Sequence, residues 1–425
     1  MPPVFDTAII NCGELLTLAG KHGPRCHGDQ SEIGLITHGA VGIIKGKIAW
    51  VGRQEAYQRN GRAQVELDAK SQVVMPGLVD PHTHAVFAGT RETEWIQKIA
   101  GASYLELLQQ GGGILSTVEA TRATDEKSLY DLAEKRLKKM LAYGTTTVEI
   151  KSGYGLNLEN EIKILKVIQT LKKRLPMDIV ATFMGGHTLP MEYLHHPEAY
   201  VNQVIEMLPH ARPYADFCDL FCEEGAFSPS QGRKIFKAAK ASGFKIKLHA
   251  GQFSDQSSRG GIKLAKTFSA ISVDHLDMIS PQDIARLKKS GAVGVMLPGV
   301  SHFLGTKKIP PTHALIEAGI PIALATDFNP GTSPCLSMQE MIHLAVQAFR
   351  LSPEEAIVAS TINAAHAIGM ANNTGSLEVG KQADLIFLDL DRYAQLPYFF
   401  GVNHVTLVMK KGKVAYTSFA HTDKP

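Results

Sequence analysis

The sequence predicts an α/β protein: a (β/α)8 barrel of the TIM type with a small β-sandwich domain formed from both chain termini. Two observations predict it. Through the middle of the 425 residues, eight short apolar runs alternate with amphipathic stretches of helical spacing, the pattern of parallel strands and their crossover helices. At both ends the chain changes to short strands separated by turns. The expected division is a composite β domain of residues 1–72 and 371–425 and a barrel of residues 73–370.

Taken in order, Val41 to Gly52 reads as a hairpin about Lys45-Gly46-Lys47. The barrel runs are Val73–Val79, Thr145–Ile150, Ile179–Met184, Phe217–Phe221, Phe244–Leu248, Ile271–Val273, Val293–Leu297 and Ile322–Ala325. Leu129, Leu132, Ala133, Leu137, Met140 and Leu141 fall at helical spacing before Gly144, a residue suited to ending a helix. Ser228-Pro229, Ser280-Pro281 and Ser352-Pro353 each place a capping serine before a proline at the first helical position. Ala383 to Asp389 is a further strand, and Val405–Met409 pairs with Val414–Thr417 across Lys410-Lys411-Gly412-Lys413. A doubly wound open sheet would need a glycine-rich phosphate turn after its first strand. Gly111-Gly112-Gly113 follows a helix pattern instead and lacks the Gly-x-Gly-x-x-Gly spacing.

Composition excludes several classes. With 44% apolar and 20% charged residues the chain can bury a sizeable core and is not disordered. The 44 basic and 41 acidic residues leave a net charge of +3. The densest basic cluster, Lys135, Arg136, Lys138 and Lys139, reads as a solvated helix face, so nucleic acid is not an expected partner. No apolar run approaches the roughly 18 residues that span a bilayer, and the start Met-Pro-Pro-Val-Phe-Asp is not a signal peptide. Cys12, Cys26, Cys218, Cys222 and Cys335 contain no Cys-x-x-Cys, which fits a reduced, cytoplasmic protein. Cys218 and Cys222 lie in or beside an apolar run and read as packing. The expected partner is a small-molecule substrate, and the expected assembly is a homodimer, the commonest soluble oligomer.

The chemistry is concentrated where such a barrel builds its active site, at the C-terminal ends of the strands. Strand one ends Asp80-Pro81-His82-Thr83-His84, strand two Glu149-Ile150-Lys151, strand three Gly185-Gly186-His187 and strand four Glu223-Glu224. Strand five ends at His249, strand six at Asp274-His275 and strand eight at Thr326-Asp327; strand seven, ending Pro298-Gly299, has no ionisable group. One histidine at a strand end is usually a packed residue. Convergence from five strands favours ligation. Residues i and i+2 of a strand point the same way, so His82 and His84 can face one ion. His249 and Asp327 would complete a mixed nitrogen and oxygen set suited to Zn²⁺ or Fe²⁺, an ion able to activate water near neutral pH.

Pro76-Gly77-Leu78-Val79-Asp80-Pro81-His82-Thr83-His84 is similar to the first-strand signature of the amidohydrolase superfamily, a metal-bearing barrel with a small β-sandwich from both termini. Glu149-Ile150-Lys151-Ser152-Gly153-Tyr154-Gly155-Leu156 and Asp327-Phe328-Asn329-Pro330-Gly331-Thr332-Ser333-Pro334 resemble the imidazolonepropionases of histidine degradation, and the resemblance covers nearly the whole chain. It implies hydrolysis of the cyclic amide C–N bond of 4-imidazolone-5-propanoate to N-formimidoyl-L-glutamate. It also implies one Zn²⁺ or Fe²⁺/Fe³⁺ per chain on His82, His84, His249 and Asp327, with Arg91, Tyr154, His187, Gln252, Asn329, Gly331 and Thr332 contacting substrate or product. The residue types support parts of this. Arg91 offers a guanidinium fork to a propionate, its alternative being a salt bridge with Glu92 or Glu94. Tyr154 lies between glycines that let backbone approach a ligand. The Asn329 side chain and Gly331 amide are candidate donors to a second carboxylate.

Metal-dependent deaminases of the superfamily carry a glutamate three residues after the strand-five histidine, where this chain has Gln252. An amide cannot accept and return a proton, which weakens the alternative reading, a heterocycle aminohydrolase. The general base is then expected to be Asp327, with His275 as second choice or as the group that polarises the carbonyl under attack. Lys151 sits near the strand-two end, where a carboxylated lysine would bridge two metals, but four ligands fit one ion better. A non-catalytic barrel would be expected to have lost ligands, and none is missing.

Overall fold

The computed structural model describes residues 4–101 and 112–418; residues 1–3 and 419–425 of the expected composite domain, and Gly111 of the glycine run, lie outside them. Eight parallel strands hydrogen-bond in chain order: Leu78–Asp80, Thr145–Lys151, Asp178–Gly186, Phe217–Cys222, Lys245–Ala250, Ser272–His275, Val293–Met296 and Ile322–Leu324. All seven residues of Thr145–Lys151 are buried, as expected of parallel strands covered on both sides. The last strand meets the first just beyond their ends. Asp327 N donates to His82 O at 3.0 Å and His84 N to Phe328 O at 2.9 Å, beside an isolated parallel bridge of Thr83 and Phe328. The backbone bonds that close the ring thus lie among the residues expected to hold a metal.

Helices follow the strands where the capping signals place them. Ser228, Ser280 and Ser352 each accept from the backbone of the third residue on and precede a proline in the first turn. Ser228 and Ser352 complete reciprocal capping boxes with Gln231 and Glu355. The helix Glu126–Ala142 buries Leu129, Ala133, Leu137, Met140 and Leu141, but Leu132 is exposed. Arg136 departs from the expected solvated face. Its Nη1 donates to Ala85 O at 3.0 Å and Phe87 O at 2.7 Å, and its guanidinium lies 3.6 Å over the Phe87 ring, a stacking that lysine would not reproduce.

A second, mixed sheet gathers the ends of the chain: Val4–Leu16, Leu35–Ile44, Lys47–Arg53, Arg62–Asp68, Val73–Pro76, Leu385–Leu388, Val405–Lys410 and Lys413–Thr417. It has its own core, including Ile9, Cys12, Val41, Ile43, Leu385 and Phe387. Both expected hairpins form, the first with positive φ at Lys45 (50°) and Gly46 (74°), the backbone of a two-residue hairpin turn. One boundary is corrected. The run Val73–Val79, read as the first barrel strand, divides at Gly77. Val73–Pro76 pairs with Glu14-Leu15 and with Leu385–Leu388 in the terminal sheet, and the barrel begins at Leu78. Every residue on either side of the division is buried, so hydropathy carries no mark of where hydrogen bonding passes between sheets. Among the described residues no helix is long and apolar enough to cross a membrane.

Candidate active site

The four expected ligands meet at the barrel mouth. Ring nitrogens of His82, His84 and His249 form one group within 4.8 Å, and His82, His275 and Asp327 form another. Asp327 Oδ1 lies 3.2 Å from His82 Nε2 and 3.5 Å from His84 Nε2. His82 Nδ1 is 2.7 Å from Asp274 Oδ2, and His249 Nδ1 is 3.0 Å from Asp219 Oδ1. Ionised carboxylates only accept, so each Nδ1 carries the proton and each Nε2 keeps a free lone pair. These Nε2 atoms and Asp327 Oδ1 are buried and without hydrogen-bond partners. Burial, aided by Lys151 and the neighbouring imidazoles, holds His82, His84 and His249 well below the usual histidine range, hence neutral. Neutral imidazoles and a carboxylate with orphaned buried atoms facing one another are what a metal ion requires.

Above the cluster lies a cavity of about 500 Å³ whose wall includes His84, His249, His275 and Asp327, with Arg91, Tyr154, His187, Gln252, Asn329 and Thr332. His187 donates from Nδ1 to Gly153 O at 3.0 Å and stacks on His84 at 4.8 Å. His275 has left-handed backbone (φ 83°), an Nδ1 that makes no hydrogen bond and lies 3.9 Å from Asp277 Oδ2, and a pKa lowered to about 4 by burial. Arg91 forms the salt bridge expected as the alternative to a propionate contact, with Nε and Nη2 each 2.9 Å from Glu94 Oε2, and the residue also lines the cavity. Gly331 sits behind it; a Cβ there would come within 2.0 Å of Arg91 Nη1. Asn329 and Gly331, the expected donors to a carboxylate, bond within their own turn. Asn329 Nδ2 donates to Asp327 O and Thr332 Oγ1, and its Oδ1 accepts from Gly331 N and Thr332 N, each at 2.7–2.8 Å. An asparagine closing its own turn leaves these donors occupied.

The Amidohydrolase family profile matches residues 73–415. An imidazolonepropionase of Geobacillus kaustophilus (strain HTA426) is 45% identical over 423 residues, 97% of this chain and 98% of that protein. One of Alkaliphilus metalliredigens (strain QYMF) is 42% identical over 416 residues, with the same two coverages. The chain belongs to the imidazolonepropionases, within the amidohydrolase family. Among solved structures, E. coli guanine deaminase shares the fold at a TM-score of 0.73 and 16% identity, over 97% of this chain and all 100% of its own. An adenosine deaminase from Xanthomonas campestris with bound zinc does so at 0.72 and 19%, over 97% and 93%.

Sequence reasoning named Glu149, Lys151 and Asp274 at strand ends but missed Asp219 and Lys247, which share the charged layer beneath this imidazolonepropionase site. Lys151 Nζ donates to Glu149 Oε1 at 3.0 Å and Asp219 Oδ2 at 2.8 Å and lies 3.6 Å from Asp274, all fully buried. Burial alone would depress the Lys151 ammonium, but Asp219, Glu149 and Asp274 more than offset it and keep the lysine protonated. Lys247, also buried, lies 3.7 Å from Glu149 and donates to Pro81 O and Ala367 O. Asp219 and Lys247 stand inside runs read as apolar strands. A charged residue in a strand covered on both sides is itself the missed signal, because such groups stay buried only when paired. Cys218 and Cys222 are buried, as packing requires.

Proposed function

We propose that the chain hydrolyses the ring C–N bond of 4-imidazolone-5-propanoate to N-formimidoyl-L-glutamate, using one metal ion held by His82, His84, His249 and Asp327. The observation that carries the reading is the paired arrangement of His82 and His249, each anchored through Nδ1 by a buried carboxylate and without a hydrogen-bond partner at Nε2, with Asp327 Oδ1 3.2 Å from the His82 Nε2. Three imidazole nitrogens and a carboxylate suit Zn²⁺ or Fe²⁺. A single ion is favoured because the Lys151 ammonium is already gripped by Glu149 and Asp219. When bound, the ion supplies Lewis acidity to the carbonyl under attack and to an adjacent water.

The chain's own groups perform the rest. Arg91 receives the propionate through the Nη1 edge that Glu94 leaves open. Tyr154 and His187 bound the side of the cavity over His84 and orient the ring. Gln252 contributes hydrogen bonds without proton transfer. The Asp327 carboxylate takes the proton of the attacking water and returns it to the departing ring nitrogen. His275, neutral by burial, hydrogen-bonds the carbonyl oxygen as charge develops on it. A homodimer is the proposed assembly, supported by a run of exposed apolar side chains at Tyr398, Phe399, Phe400 and Val402.

Metal analysis of the purified protein, with an absorbance assay on freshly made imidazolone propionate, tests the proposal. The expected result is one equivalent of Zn²⁺ or Fe²⁺ and ring opening without ammonia. Ammonia release would favour the aminohydrolase reading, and two equivalents with a modified Lys151 would overturn the single-ion site.

A further inference from the structure

We infer that Glu161 is a positioning residue for substrate recognition, fixing loop 152–156 and through it both Tyr154 and His187. The inference rests on the reading of those two residues as substrate-facing. Glu161 stands in the first turn of the helix Leu158–Arg174 and is fully buried. Its Oε1 accepts from Gly153 N at 3.1 Å, Gly155 N at 2.8 Å and Leu156 N at 2.9 Å, and its Oε2 from Gly153 N at 3.1 Å. A buried carboxylate is costly unless its charge is met. Here converging backbone amides and the Ser152 side chain offset part of that cost, in the manner of an anion nest, together with the positive end of its own helix, while burial still raises the carboxyl pKa.

What these bonds hold is cavity wall. The loop has left-handed backbone at Gly153 (φ 105°) and Leu156 (φ 52°), a path that does not follow from regular secondary structure. Gly155 packs so closely that a Cβ would lie 2.4 Å from Glu161 N. Tyr154, between the two clamped glycines, is 4% exposed and lines the cavity. The Gly153 peptide works in two directions: its N–H binds Glu161, and its carbonyl accepts from His187 Nδ1. His187 in turn lies flat on His84, with 11° between the rings. One carboxylate therefore sets a phenol and an imidazole that share a wall, without touching the substrate.

Steady-state kinetics of the metal-loaded enzyme on 4-imidazolone-5-propanoate test this, comparing wild type, Glu161→Gln, Tyr154→Phe and the double variant. Glutamine preserves size and one acceptor oxygen, but it removes the charge and presents an amino group to Gly153 N–H. We expect Glu161→Gln to raise KM about tenfold, the worth of one charge-assisted hydrogen bond, with kcat and metal content near wild type. In the Tyr154→Phe background the same change should raise KM less than about threefold, because residues acting through one contact do not add. An unchanged KM in Glu161→Gln, or effects that multiply in the double variant, would overturn the positioning role and leave the substrate reading intact. A wild-type KM in Tyr154→Phe would sink the reading of Tyr154 as a substrate contact, and the inference with it. Should Glu161→Gln not accumulate, Gly155→Ala pushes the loop off the same carboxylate and must reproduce the rise in KM.

Discussion

Two buried lysines grip carboxylates at opposite ends of this barrel, and the two clusters finish differently. At the foot, Lys410 of the terminal sheet reaches Asp178, the first residue of the third strand, at 2.9 Å and Asp384 at 2.7 Å. Lys411 adds its Nζ to the other Asp178 oxygen at 2.8 Å and its N–H to the other Asp384 oxygen at 2.9 Å. Every carboxylate oxygen there has a partner. At the mouth, Lys151 pairs with Glu149 and Asp219, but the chain of contacts runs on through Asp219 and Asp274 to two imidazoles and stops. Its last atoms, two Nε2 and Asp327 Oδ1, are left open. A closed network joins two sheets. An open one is suited to a metal ion, since buried polar atoms without partners in the protein are completed from elsewhere.

The largest expected effect breaks the open network at its end. His249→Ala should lose the metal and more than about 10³-fold of kcat/KM, roughly the several kcal/mol that metal polarisation supplies, while the fold survives by circular dichroism. Asp219→Asn acts one bond further back. An amide no longer commits the His249 Nδ1 to donate, so metal affinity or activity should fall about 10- to 100-fold, the usual cost of disturbing an outer partner of a ligand. Titration with Zn²⁺ separates the two variants, and a silent Asp219→Asn would remove the tautomer argument.

Arg91→Lys sharpens the contrast at the cavity rim. Lysine keeps the charge but cannot hold Glu94 and a propionate at once. Loss of about 1 to 3 kcal/mol in kcat/KM, expressed mainly in KM, is expected. An unchanged KM would return Arg91 to its salt bridge with Glu94 alone.

The open end was more legible in the sequence than the machinery behind it. His82, His84, His249 and Asp327 fall where strands end, and strands buried on both faces show as continuous apolar runs, so candidate ligands and scaffold declare each other. Capping serines such as Ser228 carry their own local signature. Partners decided by three-dimensional register do not. Nothing near Asp219 in the chain points to His249, and nothing near Glu161 predicts three amides folding back upon it. The bonds of Asn329 within its own turn were not legible either, because they depend on the path the loop takes. The passage from terminal sheet to barrel at Gly77 was hidden for a related reason, since burial is uniform across it.

The smallest expected effect lies at the closed network, and it should touch stability alone. Burial works to raise the Asp178 carboxyl, but Lys410 and Lys411 more than offset it and hold its pKa below the usual range. A depressed pKa in the folded state gives stability that is complete above the unfolded carboxylate's pKa, about 3.9. That stability is lost as the pH falls through the lower folded value. Asp178→Asn removes this charge but leaves Lys410 bonded to Asp384, so no buried ammonium is orphaned. The variant should be less stable than wild type by on the order of 1 kcal/mol at pH 7, with kcat/KM unchanged. Urea midpoints followed from pH 7 downward should show the gap persisting to about pH 4 and then closing. A gap that stays constant below that pH would mean that packing, and not the ion pair, sets the contribution of Asp178. A fall in activity at pH 7 would show that the two ends of the barrel are coupled, and the contrast between a closed network for stability and an open one for chemistry would fail.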